Sequence, residues 1–267
     1  MDKEILNMDE AAELFNVSVK TFIKLLKEEK VPARKIGREW RFSRKALIDW
    51  LSSGDSQNYS SSEVEVKDFF NQVAPEWEEI RKYFNDKPIK DKILQMGILK
   101  KNMTVADFGA GDGYISRTVA PMVKKVIAVD ISAEMLKQLS KKSRESGINN
   151  IVTIENDASE VSIENNSVNV VFANMFLHHI ENPETAIKQM YRVLKAGGTV
   201  FLSDFEKHSN SELTEKMHDL WQGFSRNEIK DWFSNAGFKN IKIEKPDNDI
   251  KLPDNNTAGI FILTAEK

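Results

Sequence analysis

The chain contains no cysteine. That excludes disulfides, thiolate metal sites and cysteine nucleophiles. Histidine is scarce too: only His178, His179, His208 and His218 occur, none at H-x-x-x-H spacing, so no metal site is expected. Neither sign of charge dominates. The formal net charge is −3 over 267 residues, so the protein as a whole is not built to coat a polyanion. No apolar run approaches the roughly 20 residues that span a bilayer, and Met1-Asp2-Lys3-Glu4 does not begin a signal peptide. No membrane partner and a cytoplasmic location are therefore expected. There is no internal repeat. Hydrophobic residues at 40% and charged residues at 30% can bury an ordinary core.

The rest of the chain is organised around Val105 to Tyr114, V-A-D-F-G-A-G-D-G-Y. An apolar run carries Asp107, then glycines alternate at Gly109, Gly111 and Gly113, then a helical pattern begins. Strand, glycine turn and helix let a ligand lie against main chain. A dinucleotide fingerprint needs glycine at its sixth place, and here that place is Tyr114. A second strand, Val126 to Val129, ends in Asp130, which can accept from both hydroxyls of a ribose. A third, Ile151 to Glu155, leads to Asp157, and a fourth, Val168 to Ala173, ends at Asn174. Polar groups thus recur at strand carboxyl ends, where open α/β sheets bind ligands.

From about Ser62 onward this order resembles that of class I S-adenosylmethionine-dependent methyltransferases. The resemblance rests on the acidic G-x-G-x-G, the acids after strands two and three, L-H-H-I after strand four, and R-V-L-K-A-G-G-T-V into strand five. Ala196 stands where that family usually has proline. It implies a Rossmann-like, doubly wound seven-stranded sheet whose last strand runs antiparallel, with S-adenosylmethionine as cofactor. By carry-over, Gly109, Ala110, Gly111 and Gly113 lie along the cofactor, and Asp107 and Asn174 meet its amino end. Asp130 takes the ribose, Ile131 packs by the adenine, and Asp157 with Ala158 reads the adenine edge. Val64 to Tyr83 reads as one helix resembling the segment that closes over the cofactor. There Trp77 and Arg81 are candidates to cover the sulfonium and pair the carboxylate; ordinary packing is an equal reading of Trp77. For catalysis the candidates are His179, as a base, and Asp204; a structural or cofactor-shaping role is the larger reading of His178 and His179. The polar stretch after strand five, with His208, His218, Asp219, Trp221 and Phe224, sits where such folds insert a substrate lid.

Residues 5 to 51 form a smaller unit. Helical spacing covers Met8 to Phe15 and Val19 to Glu29, the second helix burying Val19, Phe22, Ile23 and Leu26, with Ser18 placed to cap it. Two short runs flank Gly37-Arg38 as a hairpin, and Ser43 caps a last helix. Helix, turn, helix, hairpin, helix is a winged helix-turn-helix, and the residues resemble the excisionase/MerR-like DNA-binding family. From Lys20 to Lys45 ten basic residues face three acids, a footprint suited to duplex DNA. The resemblance turns Lys20, Thr21 and Lys24 to the major groove and Arg34, Lys35, Arg38 and Arg41 to the backbone or minor groove. A solvated basic face, or a module reused for protein contacts, is the alternative. One such unit makes few contacts, so a homodimer on two half-sites is expected.

The expected domains are residues 1–52 for the winged helix-turn-helix, 53–62 for a serine-rich flexible linker, and 63–267 for the methyltransferase. The expected function is methyl transfer to a small molecule, tethered to double-stranded DNA through residues 18–45 and open to use as a metabolite-responsive regulator. A second reading is a transcription factor whose methyltransferase fold senses the cofactor without turnover. Nucleic-acid methylation ranks below both. Residues 174–177 read N-M-F-L without the prolines that grip a flipped base, and there is no cysteine for cytosine-C5 chemistry. An RNA substrate is the remaining form of that third reading.

Overall fold

The computed structural model describes residues 3–28, 31–37, 39–53, 62–81, 87–246 and 259–267. The chain divides into two compact units, Met1–Ser60 and Ser61–Lys267. Residues 54–61 of the expected linker lie outside the described residues, as do Arg38 and Tyr83.

The smaller unit begins with a two-residue strand, β1 (Ile5–Leu6), followed by α1 (Met8–Leu14) and α2 (Val19–Glu28). The hairpin β2 (Arg34–Ile36) and β3 (Glu39–Ser43) leads into α3 (Arg44–Ser53). Asn7 caps α1: its side chain accepts from Glu10 N–H at 2.9 Å while the Glu10 carboxylate accepts from Asn7 N–H at 2.8 Å. Ser18 caps α2 by accepting from Thr21 N–H at 3.1 Å. The strand order is β1-β3-β2. Two residues show no readable alternation, which is why β1 has no sequence signal. The core gathers on Phe22, whose ring lies 5.7 Å from Phe15 and 5.2 Å from Phe42. Val19 and Ile23, expected inside, are 36% and 37% exposed. They stand about 60° and 100° round the helix from Phe22, at the edge of its inward face.

In the larger unit, α4 (Ser62–Val73), α5 (Trp77–Arg81) and α6 (Lys87–Gln95) precede the sheet. The single helix expected over Val64 to Tyr83 is broken between α4 and α5, at Pro75, which cannot donate the next helical hydrogen bond. Strand and helix then alternate through β4 (Thr104–Phe108), α7 (Tyr114–Val119), β5 (Lys125–Asp130), α8 (Ala133–Glu145) and β6 (Ile151–Glu155), which passes without a helix to β7 (Val168–Asn174), followed by α9 (Pro183–Val193). After β8 (Leu194–Phe205) come α10 (Ser211–Met217), α11 (Arg226–Ala236), β9 (Lys239–Glu244) and β10 (Ile260–Glu266).

The seven strands lie in the order β6-β5-β4-β7-β8-β10-β9. The pairings from β6 to β8 are parallel, and β10 runs antiparallel to both its neighbours, as the resemblance implied. Alternate residues of each strand feed opposite cores, since successive side chains point to opposite faces. Ala106, Phe108, Val171 and Ala173 join the layer under α9 and α11. Val105, Val170, Phe172 and Phe201 join the other, under α6, α7 and α10. The chain leaves β4 for β5 on one side and later returns to β7 on the other. This switch point opens a crevice at the strands' carboxyl ends, beside the Gly-rich turn.

Candidate functional site

The turn after β4 holds two close approaches. Gly109 has φ +68° and a Cβ there would fall 2.3 Å from Phe176 Cδ2; at Gly113, φ +86°, it would fall 2.5 Å from Leu139 Cγ. Only glycine fits either place. Asp130 clamps the turn from β5. Its Oδ2 accepts from Gly111 N–H at 2.8 Å and its Oδ1 from Ser132 N–H at 2.9 Å. Burial pushes the Asp130 carboxyl up, against the pull of these main-chain donors. Asp107 is buried and accepts from the Ser116 hydroxyl at 2.6 Å. Burial pushes it up to about 7, the Ser116 bonds opposing and the nearby Asp130 adding to the rise.

Asp107, Gly109, Ala110, Gly111, Asp130 and Ile131 all line one cavity, together with Asp157, Ala158 and Asn174 from the next two strand ends. Gly113 does not line it; it sets the turn against Leu139. The empty volume of the cavity is about 1420 Å³ counting the open mouth. Both Asp157 oxygens accept from Ser159, its N–H at 2.9 Å and its hydroxyl at 2.6 Å. The Asn174 side-chain oxygen accepts from the Ser203 hydroxyl at 2.6 Å. Met175, next along, has φ +51°, a left-handed backbone that costs a non-glycine residue on the order of 1–3 kcal/mol and gathers at functional sites.

A helical cover closes one side. Asn71 on α4 accepts from the Ser132 hydroxyl at 2.8 Å, and Lys67 pairs with Glu155 at 2.8 Å. These bonds hold α4 over the ends of β5 and β6. The Trp77 Nε1 lies 3.8 Å from where a Gly111 Cβ would be, and its ring meets Phe70 edge-on at 5.4 Å. The Arg81 guanidinium stacks 4.0 Å from the Tyr114 ring centre, with Nε 3.9 Å from buried Asp112. Trp77 and Arg81 both line the cavity. Asp112 also receives Lys142 at 2.6 Å. It was not expected as a site residue, and no local pattern distinguishes it from an ordinary turn acid.

At the far end of the cavity are His178, His179 and Asp219. His178 Nδ1 lies 2.6 Å from Asp204 Oδ1. The Asp204 carboxylate also accepts main-chain N–H groups of Phe176, Leu177 and Phe205 at 3.3, 2.8 and 2.8 Å. With its oxygens so engaged, Asp204 sits behind His178, and it does not line the cavity. Asp204 was a catalytic candidate only by its place at a strand end, which does not show which way its side chain turns. Asp219 reaches the site from the stretch between β8 and α11. There the Leu220 and Trp221 N–H groups donate to the His178 carbonyl at 2.9 and 3.1 Å, and Trp221 Nε1–H donates to the Ile180 carbonyl at 2.8 Å. Burial lowers His179 well below the usual imidazole range, helped by His178. Burial opposes charge on His178 too, but Asp204 and Asp219 outweigh it and raise the group. Burial pushes Asp219 up to about 6 against the pull of His178.

In the smaller unit, Lys20, Thr21 and Lys24 are exposed on α2, and Arg34 and Lys35 are exposed on β2. Arg41 on β3 faces Arg34 across the hairpin and pairs with Glu39. The same hairpin exposes Ile36 and Trp40.

An open sheet with a Gly-rich turn after its first strand, acids at the next two strand ends and an antiparallel last strand is the framework of class I S-adenosylmethionine-dependent methyltransferases. Residues 106–202 match the methyltransferase domain family, and residues 5–55 match the helix-turn-helix domain family. The larger unit is thus a methyltransferase domain of that class, preceded by a helix-turn-helix domain. The chain is 24% identical over 187 residues to the ubiquinone/menaquinone biosynthesis C-methyltransferase UbiE of Shewanella frigidimarina, covering 64% of this chain and 74% of that protein. It is 24% identical over 158 residues to the chloroplastic 2-methyl-6-phytyl-1,4-hydroquinone methyltransferase 2 of rice, covering 58% of this chain. It spans only 44% of the rice protein's own length. Among solved structures, phosphoethanolamine N-methyltransferase 2 of Haemonchus contortus, held with phosphomonomethylethanolamine and S-adenosylhomocysteine, superposes with a TM-score of 0.66 at 14% identity. That match covers 98% of this chain and 76% of the other, and it bears on the fold. The cavity suits the cofactor of this class. It offers main chain where Gly111 has no side chain, a carboxylate at Asp130 suited to a diol, and an apolar wall at Ile131. Among the described residues no helix is long and apolar enough to cross a membrane.

Proposed function

We propose that the larger unit transfers a methyl group from S-adenosylmethionine to a small, largely apolar molecule bearing a hydroxyl, and that the smaller unit binds double-stranded DNA. One observation carries the reading: the Gly-rich turn and the His179–Asp219 pair line the same cavity under the same helix. A cofactor and an acceptor can therefore meet there with water excluded. Phe70, Phe176, Phe205 and Met217 in the lining favour an apolar acceptor. One relative is named for a hydroquinone and another for ubiquinone/menaquinone biosynthesis.

When bound, the cofactor supplies a methyl group already activated on a sulfonium. In this reading the chain's residues hold and align. Asp130 takes the ribose hydroxyls, Ile131 and Ala158 flank the adenine, and Asp157 accepts at its edge. Asp107 and Asn174 meet the amino end along Gly109–Gly113, while Trp77 and Arg81 cover the other side. A base is needed only if the acceptor must lose a proton. His179, kept neutral by burial, is the candidate base, with Asp219 beside it. Asp204 acts through His178 as a positioning residue.

We divide the chain into a DNA-binding unit at residues 1–53 and a methyltransferase unit at 62–267, since α3 and α4 take up Ser53 and Ser62 from the expected linker. Lys20, Thr21, Lys24, Arg34, Lys35, Arg38 and Arg41 face DNA, the full chain acts as a homodimer, and it works in the cytoplasm. Calorimetric titration of the full chain with S-adenosylmethionine, then assay of methyl transfer to hydroxylated aromatic compounds, tests this. Cofactor binding followed by turnover is expected. Binding without turnover on any acceptor would instead favour a cofactor-sensing regulator, and no binding would overturn the assignment.

A further inference from the structure

At the lid end of the cavity three buried polar atoms converge. Asp219 Oδ1 and Oδ2 and His179 Nδ1 are buried and, among the described residues, have no hydrogen-bond partner. The Asp219 side chain is 0% exposed and that of His179 11%. His178 adds a fourth atom. Its Nδ1 faces an Asp204 carboxylate that already accepts three main-chain N–H groups, so the proton in their 2.6 Å contact belongs to Nδ1. The lone pair of neutral His178 then sits on Nε2, 3.6 Å from Asp219 Oδ1. His179 Nδ1 lies 3.4 Å from the same oxygen. Lone pairs brought this close in a buried place repel one another unless a proton or a metal cation stands between them.

We propose that His178 Nε2, His179 Nδ1 and Asp219 bind one divalent first-row transition ion at the acceptor end of the cavity. One candidate donor atom from each residue lies within 4.8 Å of the others. Ligands held about 2.0–2.2 Å from a common ion stand roughly 3.0–3.6 Å apart, which brackets the two distances to Asp219. Two imidazoles and one carboxylate suit zinc or iron(II) and leave open positions. Asp204 supplies the outer partner that metal-bound histidines use to fix tautomer and ring orientation. The sequence lacks any spacing motif for this site because Asp219 arrives on the lid, forty positions beyond His179. The open positions face the cavity, where an acceptor hydroxyl can bind, and an ion there lowers the hydroxyl's affinity for its proton. The inference rests on the reading above and deepens it at its acceptor end: His179 becomes a ligand, and the ion lowers the hydroxyl's pKa so that its proton passes to water at the cavity mouth.

The test is binding, which needs no turnover. Tag-free full-length protein, stripped with chelator, is titrated with Zn²⁺ by calorimetry and with Co²⁺ while its visible absorption is followed. With no cysteine in the chain, thiolate binding cannot confuse the result. One ion per chain and a Co²⁺ spectrum typical of nitrogen and oxygen ligands are expected. His179→Gln and Asp219→Asn should each weaken the ion by more than the about 10- to 100-fold seen on losing an outer partner. Asp130→Ala should leave ion binding intact while weakening the cofactor, so failure at one end is separable from failure at the other. No stoichiometric ion on the wild-type chain, or full affinity in both folded variants, would overturn the proposal.

Discussion

Asparagine at position 130 changes the cofactor end of the cavity with almost no change of volume. Each Asp130 oxygen accepts a main-chain N–H, Gly111 at 2.8 Å and Ser132 at 2.9 Å. An amide has one oxygen. Whichever way Asp130→Asn turns, its NH₂ faces one of those donors, and that donor is left without a partner. The cost in stability is about 1–3 kcal/mol, reduced because the substitution also removes a charge that burial disfavours. For the ligand, one of two hydroxyl bonds to a charged acceptor is lost, about 1.5–3 kcal/mol. At 1.4 kcal/mol per factor of ten, affinity should fall roughly 10- to 150-fold. Calorimetry of the full chain with S-adenosylhomocysteine measures this, and thermal melting of the free protein separates the stability term. An affinity within twofold of the wild type, in a variant that melts like it, would refute the placement of the ribose at Asp130.

Three further outcomes are expected. Asp107 binds a proton up to about 7 when folded and only near 3.8 when unfolded, so between those values the folded state holds more protons and stability falls as pH rises. The loss is at most on the order of 4 kcal/mol, and urea melts at pH 5 and pH 8 should differ less in Asp107→Asn than in the wild type; an unchanged difference removes Asp107 as its source. Gly109→Ala should lose about 2–5 kcal/mol in chemical denaturation, from left-handed strain and the clash with Phe176. Gly147→Ala, with similar φ but open space around it, should lose only about 1–2 kcal/mol, and equal losses would mean the clash relaxes away. Arg34→Ala combined with Arg41→Ala should flatten the salt dependence of DNA affinity by about 2 in log–log slope, near 0.9 for each phosphate contact. An unchanged slope would take the hairpin off the DNA backbone.

What the sequence made legible was local. The turn from Gly109 to Gly113 and Asp130 at the end of β5 each sit where a strand meets its loop, and period and glycine spacing mark such places. Pro75 marked the break between α4 and α5 just as plainly, yet the apolar spacing on either side reads through it. Contacts made across the chain were not legible. His178 reads as one of two adjacent histidines, and nothing near it announces Asp204 behind or Asp219 in front. Val19 and Ile23 have the right residue type for a core and the wrong angle, a difference of less than a third of a helical turn that only packing reveals.

The helix over the cavity, α4, is a door with light latches. Its polar attachments include the hydrogen bonds that Asn71 accepts from Ser132 and, at 3.4 Å, from Glu134 N–H, and the exposed ion pair of Lys67 with Glu155. Together these are worth about 1–2 kcal/mol. Behind them Val66 is the buried apolar bolt, while the central strands are sealed on both faces. Opening the door therefore costs far less than loosening the sheet, so amide exchange should be fast in α4 and slow in β4 and β7. Cargo can come and go on the door's timescale while the framework that reads it stays shut, which makes release a natural pacemaker of the whole cycle.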